Sequence, residues 1–178
     1  MLFDQTLLFY HTGSVYNFTA GEFVSLVGLG PTDSVTSSTI NLGVPRDLGI
    51  GDGANIPRIA LYVGTAITAS ITTLTINWQF QGATASTGPW TTYAETGPLL
   101  VGTQSGSGSF STGSVIMPWP VPARPQGAPL PQYYQINAHM PGAAGVVSTG
   151  TVIGGIILSG QDEFARTGAL YPSGFTVV

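Results

Sequence analysis

The chain has 178 residues and a formal charge of -4, from four Arg, no Lys and eight acids; charged residues reach 7%, against roughly 25% in an ordinary soluble domain. An acidic chain without Lys is poorly equipped to neutralise a row of phosphates, which argues against nucleic acid as a partner. The absence of Cys removes disulfides, thiolate metal sites and a Cys nucleophile, while a 43% hydrophobic share argues against global disorder.

In chain order, Met1–Leu8 reads as an apolar N-terminal arm. It lacks a basic n-region, and Asp4, Gln5 and Thr6 interrupt it, which is not the pattern of a secretory signal. Strand signals follow at Leu7–His11, Phe23–Leu29 and Val35–Leu42, with a turn-rich link at Leu29–Ser34. Asp47-Leu48-Gly49-Ile50-Gly51-Asp52-Gly53 has a passing likeness to a calcium loop, but two acids supply too few oxygens, and a Gly-rich turn is the plainer expectation.

The middle of the chain alternates with period two. Arg58–Val63 sets Ile59, Leu61 and Val63 against Ala60 and Tyr62. Ile71–Gln81 sets Leu74, Ile76, Trp78 and Phe80 against Thr73, Thr75, Asn77 and Gln79. Weaker strands are expected at Trp90–Ala94 and Val115–Met117. The Gly/Ser run Gly102–Gly113 is expected to bury little. Pro118–Pro131, with six prolines, is expected to run as an extended polyproline loop containing a minimal PxxP match at Pro122–Pro125.

Gln132–Met140 repeats the alternation, with Tyr134, Ile136, Ala138 and Met140 on one face and Tyr133, Gln135, Asn137 and His139 on the other. A last strand is expected at Val152–Leu158. Gly142–Ser159 carries no charge, but its Gly, Ser and Thr make it a poor membrane span. Asp162–Arg166 has room for one helical turn, and a C-terminal arm follows over about 161–178.

Eight or nine strands, turn breakers between them and no helical stripe predict an all-β antiparallel sandwich, of jelly-roll type, in one domain over 1–178. His11 and His139 lack a spaced acid or nucleophile, and neither a Gly-x-Ser-x-Gly elbow nor a phosphate loop is present; no enzyme activity, metal or cofactor is expected. Asn17-Phe18-Thr19 matches a glycosylation acceptor by pattern alone.

The surface carries the functional signal. Twelve charges are few for a globule of this size, and dense mixed charge is what normally keeps proteins apart. Much of the exterior is therefore expected to be covered by copies of the chain or by a partner lattice. The apolar, aromatic ends suit strand-edge pairing or insertion into a neighbour's groove.

Met1-Leu2-Phe3-Asp4 with Leu7-Leu8-Phe9, then Arg46-Asp47-Leu48-Gly49-Ile50-Gly51, and finally Tyr171-Pro172-Ser173-Gly174-Phe175-Thr176-Val177 occur in this order. Together they resemble the cement, or capsid decoration, proteins of short-tailed bacteriophages. The resemblance implies a dimerising jelly roll, made in the host cytoplasm, that clamps the outer surface of the phage head between major capsid protein subunits without enzymatic activity or cofactor. Carried over by position, the implied partner contacts are Leu2, Phe3, Arg46, Asp47, Tyr171, Pro172 and Phe175. The residues from 12 to 34, the Pro118–Pro131 loop and the Gly160–Leu170 approach depart from the family pattern. The alternative is a carbohydrate-binding jelly roll, a receptor-binding or adhesin component of a virion, with Trp90, Tyr93, Trp119 and Tyr133 as a stacking platform for sugars and Asn and Gln supplying hydrogen bonds.

Overall fold

A computed structural model describes residues 8–10, 24–49, 57–102, 110–142 and 144–157. Ten strands form among them: β1 (Leu8–Tyr10), β2 (Val24–Ser25), β3 (Ser34–Thr36), β4 (Ile40–Asn41), β5 (Arg58–Ala69), β6 (Thr75–Ala83), β7 (Thr91–Leu100), β8 (Trp119–Pro120), β9 (Tyr133–His139) and β10 (Val147–Ile157). All pairings are antiparallel. They build two five-stranded sheets: sheet A in the order β1–β10–β5–β8 with β2 also on β10, and sheet B in the order β3–β9–β6–β7 with β4 also on β9.

The early strands take late partners. β1 and β2 pair with β10, β3 and β4 with β9, β5 with β8, and β6 with β7. The chain thus winds as a long antiparallel ribbon folded over itself, and passes between the sheets several times.

Period two decides what lies between the sheets. Ile59, Leu61 and Val63 of β5 and Val152 and Ile156 of β10 face Ile76, Trp78 and Phe80 of β6 and Tyr134, Ile136 and Ala138 of β9 in one continuous core. A one-residue slip in any of these strands would turn its apolar set outward, so burial fixes the register. The antiparallel sandwich expected from the alternation is the architecture observed.

Four local expectations change. Val35–Leu42 is two short strands, because Ser37 interrupts the ladder. Its hydroxyl accepts the Ile136 amide at 2.9 Å, in the way Ser competes with regular pairing. Val115–Met117 makes one bridge, Val115 to Tyr62, and the strand forms two residues later at Trp119–Pro120. The polyproline loop is therefore partly sheet; Pro120 sits on the outermost strand of sheet A, where a missing amide costs no ladder bond. In the Gly/Ser run, Phe110 is fully buried and its carbonyl accepts the Ile67 amide at 3.0 Å, since one aromatic ring gains more from the core than a flexible loop gives up.

Candidate functional site

The strand ends sort into two poles. β5 ends at Ala69 and turns into β6 at Thr75, so the starts of β5 and β10's last residues lie at the opposite pole from that turn. Here Ile157 pairs with Arg58, and Leu8 pairs with Gly155. The Val121 amide donates to the Pro57 carbonyl at 2.7 Å. Gly49 packs on the next residues of that same stretch: a Cβ on it would stand 2.2 Å from the Ala123 nitrogen and the Pro122 carbonyl carbon. The turn at Arg46–Gly49 therefore belongs to the same pole as Leu8 and Ile157.

Asp47 organises this pole. Its Oδ1 accepts the Gly49 amide at 3.0 Å, a local Asx turn, and its Oδ2 accepts the Arg124 amide at 3.0 Å. The Arg124 Nε lies 3.8 Å from the same oxygen, and its Nη1 donates to the Ala128 carbonyl. Asp47's side chain is 2% exposed. The Tyr134 hydroxyl donates to the Arg46 carbonyl at 3.1 Å and accepts the Leu48 amide at 3.4 Å. Beneath it, the Tyr134 and Phe80 rings stack at 5.3 Å, and Tyr93 meets both edge-on. Gly82 makes room for that third ring, because a Cβ there would come within 2.7 Å of the Tyr93 ring. Burial pushes the Tyr134 and Tyr93 phenols up, and the Asp47 charge pushes in the same direction.

The outcome is a stiff turn with an exposed tip. The Arg46 amide donates to the Pro131 carbonyl at 2.8 Å and Leu42's to that of Gln132 at 2.9 Å, which continues the β4–β9 pairing past the strands. Val44 and Leu130, on these adjoining segments, are 51% and 45% exposed, and Arg46 is exposed beside them. Two bare aliphatic side chains and one cation are thus exposed on segments held by backbone hydrogen bonds.

Of the residues implied as contacts, Arg46 and Asp47 share this pole, Arg46 facing solvent and Asp47 holding the turn from within. Leu2, Phe3, Tyr171, Pro172 and Phe175 lie outside the described residues, as do His11 and Asp52. The sequence reading missed Arg124, which it placed only in a PxxP match; the residue that anchors it is 77 positions earlier, and no local pattern links the two.

The four aromatic residues of the carbohydrate alternative do not share a surface. Trp119 is on β8 of sheet A, and Tyr93 packs against the core from β7 of sheet B. Tyr133 is on the outward row of β9, while Trp90 precedes β7. No group of three or more His, Asp or Glu fit to hold a metal occurs among the described residues. No helix there is long and apolar enough to cross a membrane. Compared with protein-family models and with curated proteins, the chain matches none.

Proposed function

We propose that this chain is a virion structural protein: a capsid decoration, or cement, protein that binds the outer surface of a phage head and stabilises its shell of major capsid protein. It acts as a homodimer or other homo-oligomer and catalyses nothing. In this reading the sandwich is a jelly roll, and the ribbon-like pairing of early strands with late ones supports it.

The observation that carries the proposal is the shared pole. Leu8 and Ile157 lie at the end of the sandwich that presents Arg46, Val44 and Leu130. The candidate contacts Leu2 and Phe3 precede Leu8 in sequence, and Tyr171, Pro172 and Phe175 follow Ile157. Because a ligand that binds only the assembled shell stabilises it by mass action, and many copies multiply a modest contact, each interface can be small.

Attachment to heads of the encoding phage tests this. Binding is expected to survive molar NaCl, since the contacts rest on apolar burial and backbone hydrogen bonds, and to fail on truncation before Tyr171. Purified particles should carry hundreds of copies, and light scattering should give a dimer or larger species. Release by salt alone, with the truncated protein still bound, refutes the proposal.

A further inference from the structure

The outward face of sheet B is a connected array of amides. Asn77, Gln79 and Gln81 of β6 stand beside Gln135 and Asn137 of β9, whose backbones pair Gln79 with Asn137 and Gln81 with Gln135. Gln135 Nε2 donates to Gln81 Oε1 at 2.8 Å and Asn137 Nδ2 to Gln79 Oε1 at 3.2 Å. Gln81 Nε2 donates to Gln79 Oε1 at 3.2 Å and to Thr92 Oγ1 at 3.4 Å. At the β7 side, Glu95 Oε2 accepts Asn77 Nδ2 at 2.9 Å and Gln79 Nε2 at 3.3 Å.

Three properties of this face point to a ligand. It is pre-set: Asn77 and Gln135 are 8% and 5% exposed and their amide groups are already held by Glu95 and Gln81, so binding need not freeze loose side chains. It is nearly neutral: β3, β4, β6, β7 and β9 contain no Lys or Arg, and Glu95 is their one acid. It is unfinished: the Asn137 Oδ1 is buried without a hydrogen-bond partner among the described residues. Tyr133 and His139 close the two ends of the β9 row, both half-buried, and the row between them runs roughly 20 Å at about 3.4 Å per residue.

We propose that this face binds a neutral glycan, with the amides and Glu95 reading sugar hydroxyls and Tyr133 stacking on a ring. Amides both donate and accept, as hydroxyls do, and a carboxylate accepts from two hydroxyls at once. A polyanion finds no cation on these strands. A second copy of the chain would find little apolar area from which to build a dry interface centre. Tyr133 adjoins the Gln132–Pro131 segment that meets Leu42 and Arg46, while Gln79, Gln81 and Asn137 lie further along the sheet; the Arg46→Ala arm of the test therefore distinguishes this face from the pole.

The test is an array of neutral and acidic oligosaccharides probed with the full chain displayed multivalently on beads, since single sites of this kind are weak and display multiplies them. Signal is expected on neutral glycans, reduced at least tenfold in a folded Gln81→Ala/Asn137→Ala double variant and unchanged in Arg46→Ala. Absence of wild-type signal, or signal retained in the double variant, overturns the proposal. If the double variant does not fold, the brightest neutral oligosaccharide is titrated into labelled wild-type protein. Shifts of the side-chain amide resonances of Gln79, Gln81 and Gln135 support the site, and shifts confined to other surfaces overturn it.

Discussion

The Asp47 carboxylate accepts the backbone amide of Arg124 at 3.0 Å, and so joins the turn after β4 to the proline-rich segment before β9. The guanidinium of Arg124 is 3.8 Å away and its side chain is 36% exposed. The amide bond therefore dominates, because an ion pair this wet and this long adds little. Removal of the buried acceptor in Asp47→Ala should cost about 3 kcal/mol, with two amides losing a charged partner. Arg124→Ala keeps the amide and should cost about 1 kcal/mol or less. Urea denaturation of both variants checks the ordering; equal losses would mean that the ion pair carries the junction.

Gly49 should tolerate no side chain. The atoms that a Cβ would meet are backbone atoms of Pro122 and Ala123, which cannot rotate away, so Gly49→Ala should cost at least about 3 kcal/mol, at the severe end of overpacking. Gly43, with φ +76 and open space around it, isolates the backbone penalty; Gly43→Ala should cost about 1 kcal/mol. Thermal melts of the pair separate collision from conformation.

Alkali should unfold the protein through the buried Tyr134 and the half-buried Tyr62. Burial pushes the Tyr62 and Tyr134 phenols well above their ordinary value of 10.0; at Tyr134 the Leu48 amide opposes this, while Tyr93 and Asp47 add to it. The folded state thus holds these protons more tightly than the unfolded chain. Their contribution is fully present below about pH 10 and is lost as pH rises through the folded values. Absorbance titration should show delayed tyrosinate formation, then a cooperative jump on unfolding. Tyr134→Phe should reduce the delay and cost about 1 kcal/mol through its two hydrogen bonds.

Glu95 should titrate in the opposite sense. The Asn77 amide, then that of Gln79, holds its carboxyl below the ordinary value of 4.5. Stability linked to it is present above that value and lost as pH falls through the folded one. Carbon-detected NMR should place the wild-type midpoint below 4.5 and move it upward in Asn77→Ala. An unmoved midpoint would show that the amide array does not engage this carboxylate.

The buried sets of β6 and β9 were legible residue by residue, because side chains on a strand alternate and only one phase makes an apolar face. The same alternation placed Asn77, Gln79, Gln135 and Asn137 on outward rows. It could not show that these rows adjoin: that follows from β6 and β9 pairing across more than fifty residues. Val35–Leu42 was misread because Ser37 bonds to a strand that arrives a hundred residues later, and Phe110 because its flanking Gly and Ser masked a core ring.

From composition and periodicity alone came an antiparallel sandwich with few charges and no evident catalytic constellation, since strand phase and charge count are properties of local sequence. Tertiary structure alone set Asp47 against Arg124, gathered the amides into one array and brought Leu8, Ile157 and Arg46 to a common pole. Each of these depends on which distant strands become neighbours, and that choice is made by burial of the whole core.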